Sequence, residues 1–448
     1  MDTKPKTVAG LFIITCLLFL SFQEVSTASS PWTDQEQILF EYSGHQGLVI
    51  KPKQAAEGNP WVWIASDFDA NPLTEALLTH GLHLAWIDVD TLWGNEEALA
   101  TADAFYNWAV EEQQFAAKPV LLSSDIGTWL LFNWASQHPE QVSAIYAMNP
   151  WLIPNLKEEE VEDPAYMNAL AAHGLDKTTE ADAFFALPSN RAESLSKSMI
   201  PVMFALIGWD KVMKEAADSF YKNYRLAGKG FFEIMAPPPD RTSASPGVLL
   251  HTLFFILERS GVLADSTENQ SLPNAPNWAV ADFSGSGGVC VLDDAILMKA
   301  GNEMTGIKWQ GDLPEGDYEI TLDAMRVSGN DFFCGLTVPK QDTSFSLVVG
   351  GWGGTCIGIS CLDWADAYNN ETAVFRGLQS HRWYPIKLRV VGDQIQAWVD
   401  NEQVVDVDVS NREVDIRWEM EPTKPLGIAT WCTTGAIRNF RITPVSEF

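Results

Sequence analysis

The chain has 448 residues, 46% hydrophobic and 20% charged, with 18 Trp and a formal net charge of −30. At about 100–200 residues per domain, that length predicts two or three domains with sizeable cores, and the composition excludes a disordered chain. So negative a surface repels phosphate backbones, which excludes nucleic acid as a partner and disfavours docking on anionic lipid.

Lys4 and Lys6 precede an uncharged apolar run, Val8–Phe22, and the small residues Ser26–Ser30 follow it. The run is shorter than the roughly 20 residues that span a bilayer, so the pattern predicts a secretory leader over residues 1–28, cleaved near Ala28. The mature protein is then expected to be secreted or periplasmic, without a membrane span. An uncleaved anchor is the alternative. Cys16 lies inside the run after Thr15, without the small preceding residue of a lipidation site. The other cysteines, Cys290, Cys334, Cys356, Cys361 and Cys432, all fall late in the chain and show no Cys-x-x-Cys spacing. They read as strand residues, with one or two disulfides left open, and the motif case for zinc is weak.

Residues 31–261 alternate short apolar runs with helical patterns. Gly47–Ile50, Trp61–Ile64, Leu82–Asp88, Pro119–Leu122, Ser143–Ala147 and Pro201–Leu206 are expected strands. Pro72–His80, Asn95–Gln113 and Thr128–Gln137 are expected helices. Continuous apolar strands between helices predict an α/β domain, a parallel sheet covered on both faces. Residues 262–279 are polar, proline-bearing and aperiodic, and read as a linker. From residue 280 to 448 the pattern has period two, as in Asp317–Arg326, Trp383–Val390 and Gln394–Val399, which predicts an all-β antiparallel sandwich.

The strand Pro119–Leu122 runs into Ser123, Ser124, Asp125, Ile126 and Gly127, and then into a helix. A nucleophile on such a sharp turn needs small residues two positions to either side, which Ser123 and Gly127 supply around Asp125. With Trp61–Ile64, Gly81–Asp90 and Phe132–Ala135, this stretch resembles the α/β-hydrolase superfamily, and in particular a group of exported bacterial hydrolase-like proteins. In that family the elbow is normally Gly-x-Ser-x-Gly, and here Asp125 stands at the serine position. The resemblance places the triad acid at Asp210, after Pro201–Leu206; the same residue reads equally well as a helix N-cap. It also implies a histidine after the last strand, where this chain has Met235–Ser243 and none. The next histidine, His251, falls within the closing helix.

Aspartate is already ionised at neutral pH and needs no base to attack, as in the haloalkane dehalogenases and epoxide hydrolases that Asp125–Gly127 and Gln137–Glu140 resemble. Hydrolysis of the resulting ester still needs a base to activate water, and its loss costs about 10²–10⁴-fold. The altered triad therefore reads as a scaffold without conventional turnover, a pseudoenzyme.

In the last part, Val327–Thr337, Leu347–Gly354, Asn370–Thr372, Trp383–Arg389 and Pro425–Thr430 resemble the concanavalin-like domain of 3-keto-disaccharide hydrolase-like proteins. That resemblance implies a two-sheet jelly roll with one concave face, and an oligo- or polysaccharide as partner. Trp352, set among glycines, either presents a flat ring to a sugar or packs where glycine leaves space. Asp363, Trp364, Asn370 and Glu371 combine aromatic, carboxylate and amide groups, which sugar hydroxyls need. Asp331 and Glu371 are candidates for paired carboxylates of a glycosidase. No cofactor is expected, and calcium on carboxylates stays open. An exported glycan-binding protein is the leading expectation. The alternatives are a carbohydrate-active hydrolase working through the sandwich, an Asp-nucleophile α/β hydrolase, and a purely structural surface protein.

Overall fold

The computed structural model describes residues 23–24, 32, 34–66, 68–152, 164–175, 187–266, 270–313 and 315–445. Residues 1–22 and 25–28 of the expected leader lie outside them. Among the described residues no helix is long and apolar enough to cross a membrane.

The first sheet has nine strands: β1 (Gln23–Glu24), β2 (Glu36–Tyr42), β3 (His45–Lys51), β4 (Trp61–Ala65), β5 (His83–Ile87), β6 (Val120–Ser124), β7 (Ala144–Met148), β8 (Val202–Ala205) and β9 (Phe232–Met235). Their spatial order is β1-β2-β3-β5-β4-β6-β7-β8-β9. The strands from β5 to β9 are parallel, while β3 runs antiparallel to β2 and β5. This is the α/β-hydrolase-like sheet that the sequence predicts. All five residues of β4 and of β6 are buried, as strands covered on both faces must be.

Helices α1 (Pro72–Thr79), α2 (Glu96–Glu111), α3 (Gly127–Gln137), α4 (Pro164–Ala172), α5 (Ala192–Lys197), α6 (Lys211–Ala227) and α7 (Pro246–Arg259) flank this sheet. The start of α1 is set by Asn71, whose side chain accepts from the N–H groups of Leu73 and Thr74, with Pro72 at the first helical position. Helix α2 buries Ala98, Ala102, Phe105 and Ala109, one face at helical spacing, and Phe105 meets the buried Trp63 edge-on at 5.2 Å.

The rest of the chain forms two antiparallel sheets. One runs β10 (Ser271–Leu272), β11 (Ala275–Val280), β14 (Met304–Trp309), β23 (Gly427–Trp431), β16 (Cys334–Lys340), β17 (Thr343–Gly350), β18 (Cys356–Ser360) and β19 (Val374–Phe375). The other runs β12 (Val289–Leu292), β13 (Ala295–Met298), β24 (Thr434–Pro444), β15 (Tyr318–Ser328), β20 (Tyr384–Val391), β21 (Gln394–Val399) and β22 (Glu402–Asp408). Tyr318, Ile320, Leu322 and Ala324 of β15 are buried, alternating with half-buried Glu319, Thr321 and Asp323. They join Leu336, Leu347, Ile359 and Leu388 in one core.

Strand β10 and all of β11 but Val280 lie inside the stretch expected to be a linker. Trp278 of β11 pairs with Trp309 of β14. Only Trp278, Ala279 and Val280 of β11 are buried, and Pro276 sits in its exposed first half, which hides the strand from a periodicity reading.

Helix α7 joins the two parts. Ten of its residues are buried, and one apolar cluster runs from Tyr146 and Met203 through Leu253 and Phe254 to Cys290, Leu297, Met325 and Ala436. Gly247 is required there: a Cβ would stand 2.1 Å from the His381 carbonyl oxygen and 2.7 Å from Met325 Sδ. The five late cysteines are unpaired; Cys290, Cys334 and Cys356 are buried in strands, Cys361 is half-buried and Cys432 exposed.

Candidate functional site

The turn between β6 and α3 has the backbone of a nucleophile elbow. Asp125 holds φ at +41°, in the left-handed region, and is an exposed residue. The Asp125 carbonyl accepts from Trp151 N–H at 3.2 Å. Ser66, after β4, ties the turn from below: its hydroxyl donates to the Ser124 carbonyl at 2.7 Å and accepts from Gly127 N–H at 2.8 Å. A Cβ on Gly127 would fall 2.5 Å from both the Ala65 carbonyl oxygen and Ser66 Oγ, so helix and strand approach this closely only with glycine. Ser123 and Ser124 are buried beneath the apex.

The other triad positions are occupied differently. Asp210 is exposed and caps α6, its Oδ1 accepting from Met213 N–H at 2.7 Å. The segment after β9 carries no histidine, and His251 faces the sandwich, its Nδ1 3.0 Å from His381 Nε2. A histidine that sequence reading passed over, His173 just after α4, comes close to the elbow helix. Its Nε2 lies 2.9 Å from the Trp93 carbonyl oxygen and its ring 6.2 Å from that of Trp129 in α3. Burial lowers its pKa below the ordinary histidine value.

The eight-stranded sheet carries a cavity of about 270 Å³. Met304 and Trp431 face each other across β14 and β23, and Ser346 and Ser360 across β17 and β18. Asp331, Phe332, Val348, Trp352, Arg417, Glu419 and Met420 complete the wall. Arg417 and Glu419 meet in a two-point pair, at 2.6 Å and 3.2 Å. Burial acts to raise the Glu419 pKa, and the bonds from Arg417 outweigh it and hold that carboxyl below the usual range. Arg417 also lies 3.6 Å from Asp366. Apolar floor, one guanidinium, carboxylate oxygens and indole rings together can take a ligand that is flat on one side and hydroxylated at its edge.

Trp352 reaches this cavity from a tight turn. Gly350 (φ +82°), Trp352 (φ +48°), Gly353 (φ +82°) and Gly354 (φ +96°) are all left-handed, a conformation open chiefly to glycine. The close approach that the glycines allow is by Arg326, whose guanidinium would stand 2.7 Å from a Cβ on Gly350. Asp331 locks the turn from the other side, Oδ2 accepting from Gly353 N–H at 3.1 Å and Oδ1 from Phe332 N–H at 2.8 Å. Trp352 is 38% exposed, and its ring stands 6.0 Å from that of exposed Tyr368.

Of the six sandwich residues singled out from sequence, Asp331 and Trp352 meet in this cavity. Asp363 and Glu371 converge instead on Arg412, which bonds both carboxylates, and neither lines the cavity. Asp363 is held below the usual carboxylate range by the Glu413 N–H and by Arg412, and Glu371 chiefly by Arg412. Asn370 is spent on its own loop: its Nδ2 donates to the carbonyls of Ile359 and Asp366, each at 2.8 Å, and its Oδ1 accepts from Thr372. Trp364 is 79% exposed and borders a separate hollow with Thr343, Glu413, Val414 and Asp415. Among the described residues no group of three or more His, Cys, Asp or Glu side chains is placed to hold a metal ion.

Arg417, Glu419 and Trp431 were missed. The run Arg417-Trp418-Glu419 carried a signal, two opposite charges around a tryptophan that is 79% exposed.

No protein-family model matches the chain, and no curated protein is significantly similar to it. Similar solved structures each cover only part of this chain. Mycobacterium tuberculosis MPT51 is 16% identical at a TM-score of 0.37, over 54% of this chain and 98% of its own. An esterase/lipase from an uncultured bacterium is 13% identical at 0.39, over 52% and 88%. The carbohydrate binding module CBM66 from Bacillus subtilis is 11% identical at 0.27, over 39% and 98%. At those values the fold assignment rests on strand order and direction: an α/β-hydrolase-like sheet followed by an antiparallel, all-β region.

Proposed function

We propose that the protein is an exported glycan-binding protein, in which the sandwich, of concanavalin-like type, holds an oligo- or polysaccharide and the α/β-hydrolase-like part is a non-catalytic scaffold. The observation that carries this reading is the cavity where Trp352 and Trp431 meet Asp331, Arg417 and Glu419. A sugar ring has apolar C–H faces that stack on indole and equatorial hydroxyls that hydrogen-bond to paired charged groups. Export rests on the expected leader. The test is a glycan array followed by calorimetry on the mature chain. Trp352→Ala is expected to weaken binding about thirtyfold or more, the loss of roughly 2 kcal/mol for a central aromatic contact. Binding that survives Trp352→Ala unchanged, or no binding to any glycan, sinks the reading.

A hydrolase is the second reading. It is favoured by the intact elbow backbone at Asp125 and by His173 beside the helix that follows it. A chromogenic ester panel, with a disaccharide panel that includes 3-keto forms, separates it from the first.

A further inference from the structure

Where α7 meets the sandwich, three titratable side chains form a line. Glu233 on β9 lies 3.4 Å from His251 Nε2, and His251 Nδ1 lies 3.0 Å from His381 Nε2. His251 and His381 are 2% and 7% exposed, and their rings stack at 18°. The Val327 backbone also hydrogen-bonds to the His381 side chain. His381 N–H donates to the Arg326 carbonyl at 2.9 Å, and the His381 carbonyl packs on Gly247 of α7. A hydrogen bond between two imidazole nitrogens holds one hydrogen. A second makes donor face donor.

We propose that the His251–His381 contact is an acid-sensitive latch between the α/β part and the sandwich, closed while one proton lies between the rings and opened by a second. The proton arrives from solvent at His381 Nε2, and no bond other than hydrogen bonds is broken. The latch does not depend on the glycan reading.

The surroundings fix the direction. Among the described residues, Glu233 is the carboxylate paired with these histidines, through His251. Glu258 and Asp265 are engaged with Lys299, at 2.7 Å and 2.6 Å. Arg259 lies over the Phe231 ring, and Arg382, beside His381, is bonded to Asp400. The Arg326 guanidinium is engaged by the carbonyls of Leu378 and Gly354. Burial first, and the positive charge of His251 second, push the His381 pKa from 6.5 down to about 3 in the closed state. An undocked, solvated His381 takes its proton near 6.5, so each pH unit below that favours opening by about tenfold, until about pH 3. Glu233, held below its ordinary range although burial opposes this, loses its contribution in the same direction as pH falls.

Cys290 reports the opening. It is 1% exposed in the apolar cluster that contains α7, whereas Cys334 is fully buried in the core of the sandwich itself. The mature chain is labelled with a pyridyl disulfide from pH 7.5 to 4.5 and read by mass spectrometry. Between about pH 6.5 and 4.5, Cys290 labelling is expected to rise about fiftyfold relative to Cys334, and His381→Gln to flatten that rise. Should His381→Gln leave Cys290 reactive at pH 7.5, His251→Gln decides: without the facing charge His381 takes its proton more readily in the closed state, so the rise should level off at higher pH and reach a smaller total than in the wild type. Equal labelling of Cys290 and Cys334, no rise in the wild type, or a rise unchanged in the deciding variant overturns the latch.

Discussion

Arg326 donates to the Gly354 carbonyl at 3.1 Å from inside the sandwich, and with this bond it fixes the turn that presents Trp352. The same guanidinium reaches the carbonyls of Leu378, Asp331 and Gly350, at 2.9, 3.2 and 3.4 Å. The two walls of the cavity, Asp331 and Trp352, are therefore referenced to one buried cation. Burial lowers its pKa, but an arginine stays charged throughout the working range.

Arg326→Met should therefore cost about 3 kcal/mol or more in urea unfolding, because several buried carbonyls lose their donor at once. Arg326→Lys should recover little of it, since one ammonium cannot match a planar fork aimed at four carbonyls. A loss under about 1 kcal/mol for both variants would show that water takes over these carbonyls.

The ion cluster of Arg412 with Asp363 and Glu371 lies outside the cavity and in solvent. Exposed pairs of this kind contribute little. Arg412→Ala is expected to leave glycan affinity within about threefold of the wild type while Trp352→Ala removes it. A parallel loss in both variants, read by calorimetry, would move the binding surface towards Asp363 and Glu371.

The elbow makes a separate demand. Gly127→Ala places a methyl group 2.5 Å from the Ala65 carbonyl oxygen, part of the backbone and unable to move aside alone. Thermal or urea unfolding should show a loss of about 1–3 kcal/mol, the usual cost of overpacking. An unchanged midpoint would mean that α3 shifts freely against β4.

Asp125→Ala should leave ester hydrolysis by the mature chain at its background level, in keeping with a scaffold that does not turn over. A clear fall in rate on the ester panel would reinstate Asp125 as a nucleophile. His173→Ala would then show whether that histidine activates the water, since a lost base lowers rates about 10²–10⁴-fold.

What was legible in the sequence followed from local pattern. The continuous apolar runs became strands, parallel except for Gly47–Ile50 in antiparallel β3, Asp317–Arg326 became most of β15, and Ser123, Asp125 and Gly127 marked the elbow. The cavity was not legible as a unit. Asp331, Trp352, Arg417 and Trp431 are separated by up to a hundred residues and meet because β23, β16, β17 and β18 are neighbours, an order set by non-local pairing. Asn370 looked like a ligand because an amide that braces its own loop and one that binds sugar are the same residue type. His251 sits at an ordinary interior position of α7, and only the docking of the sandwich gives it His381 as a partner.

Asp210 is the position where two readings of one residue can be separated by measurement. Its Oδ1 satisfies the Met213 N–H in the first turn of α6, whose start carries unpaired backbone donors and partial positive charge. As a cap, Asp210→Ala should cost about 0.5–2 kcal/mol in unfolding, and Asp210→Asn or Asp210→Ser should restore most of it. As a triad acid it would behave otherwise: Asp210→Asn would keep the stability and still abolish any histidine-dependent ester hydrolysis, because an amide cannot stabilise an imidazolium. Equal stability in Asp210→Asn and wild type, with the same background rate on the ester panel, is the outcome expected from the geometry. A selective loss of rate in Asp210→Asn would overturn it.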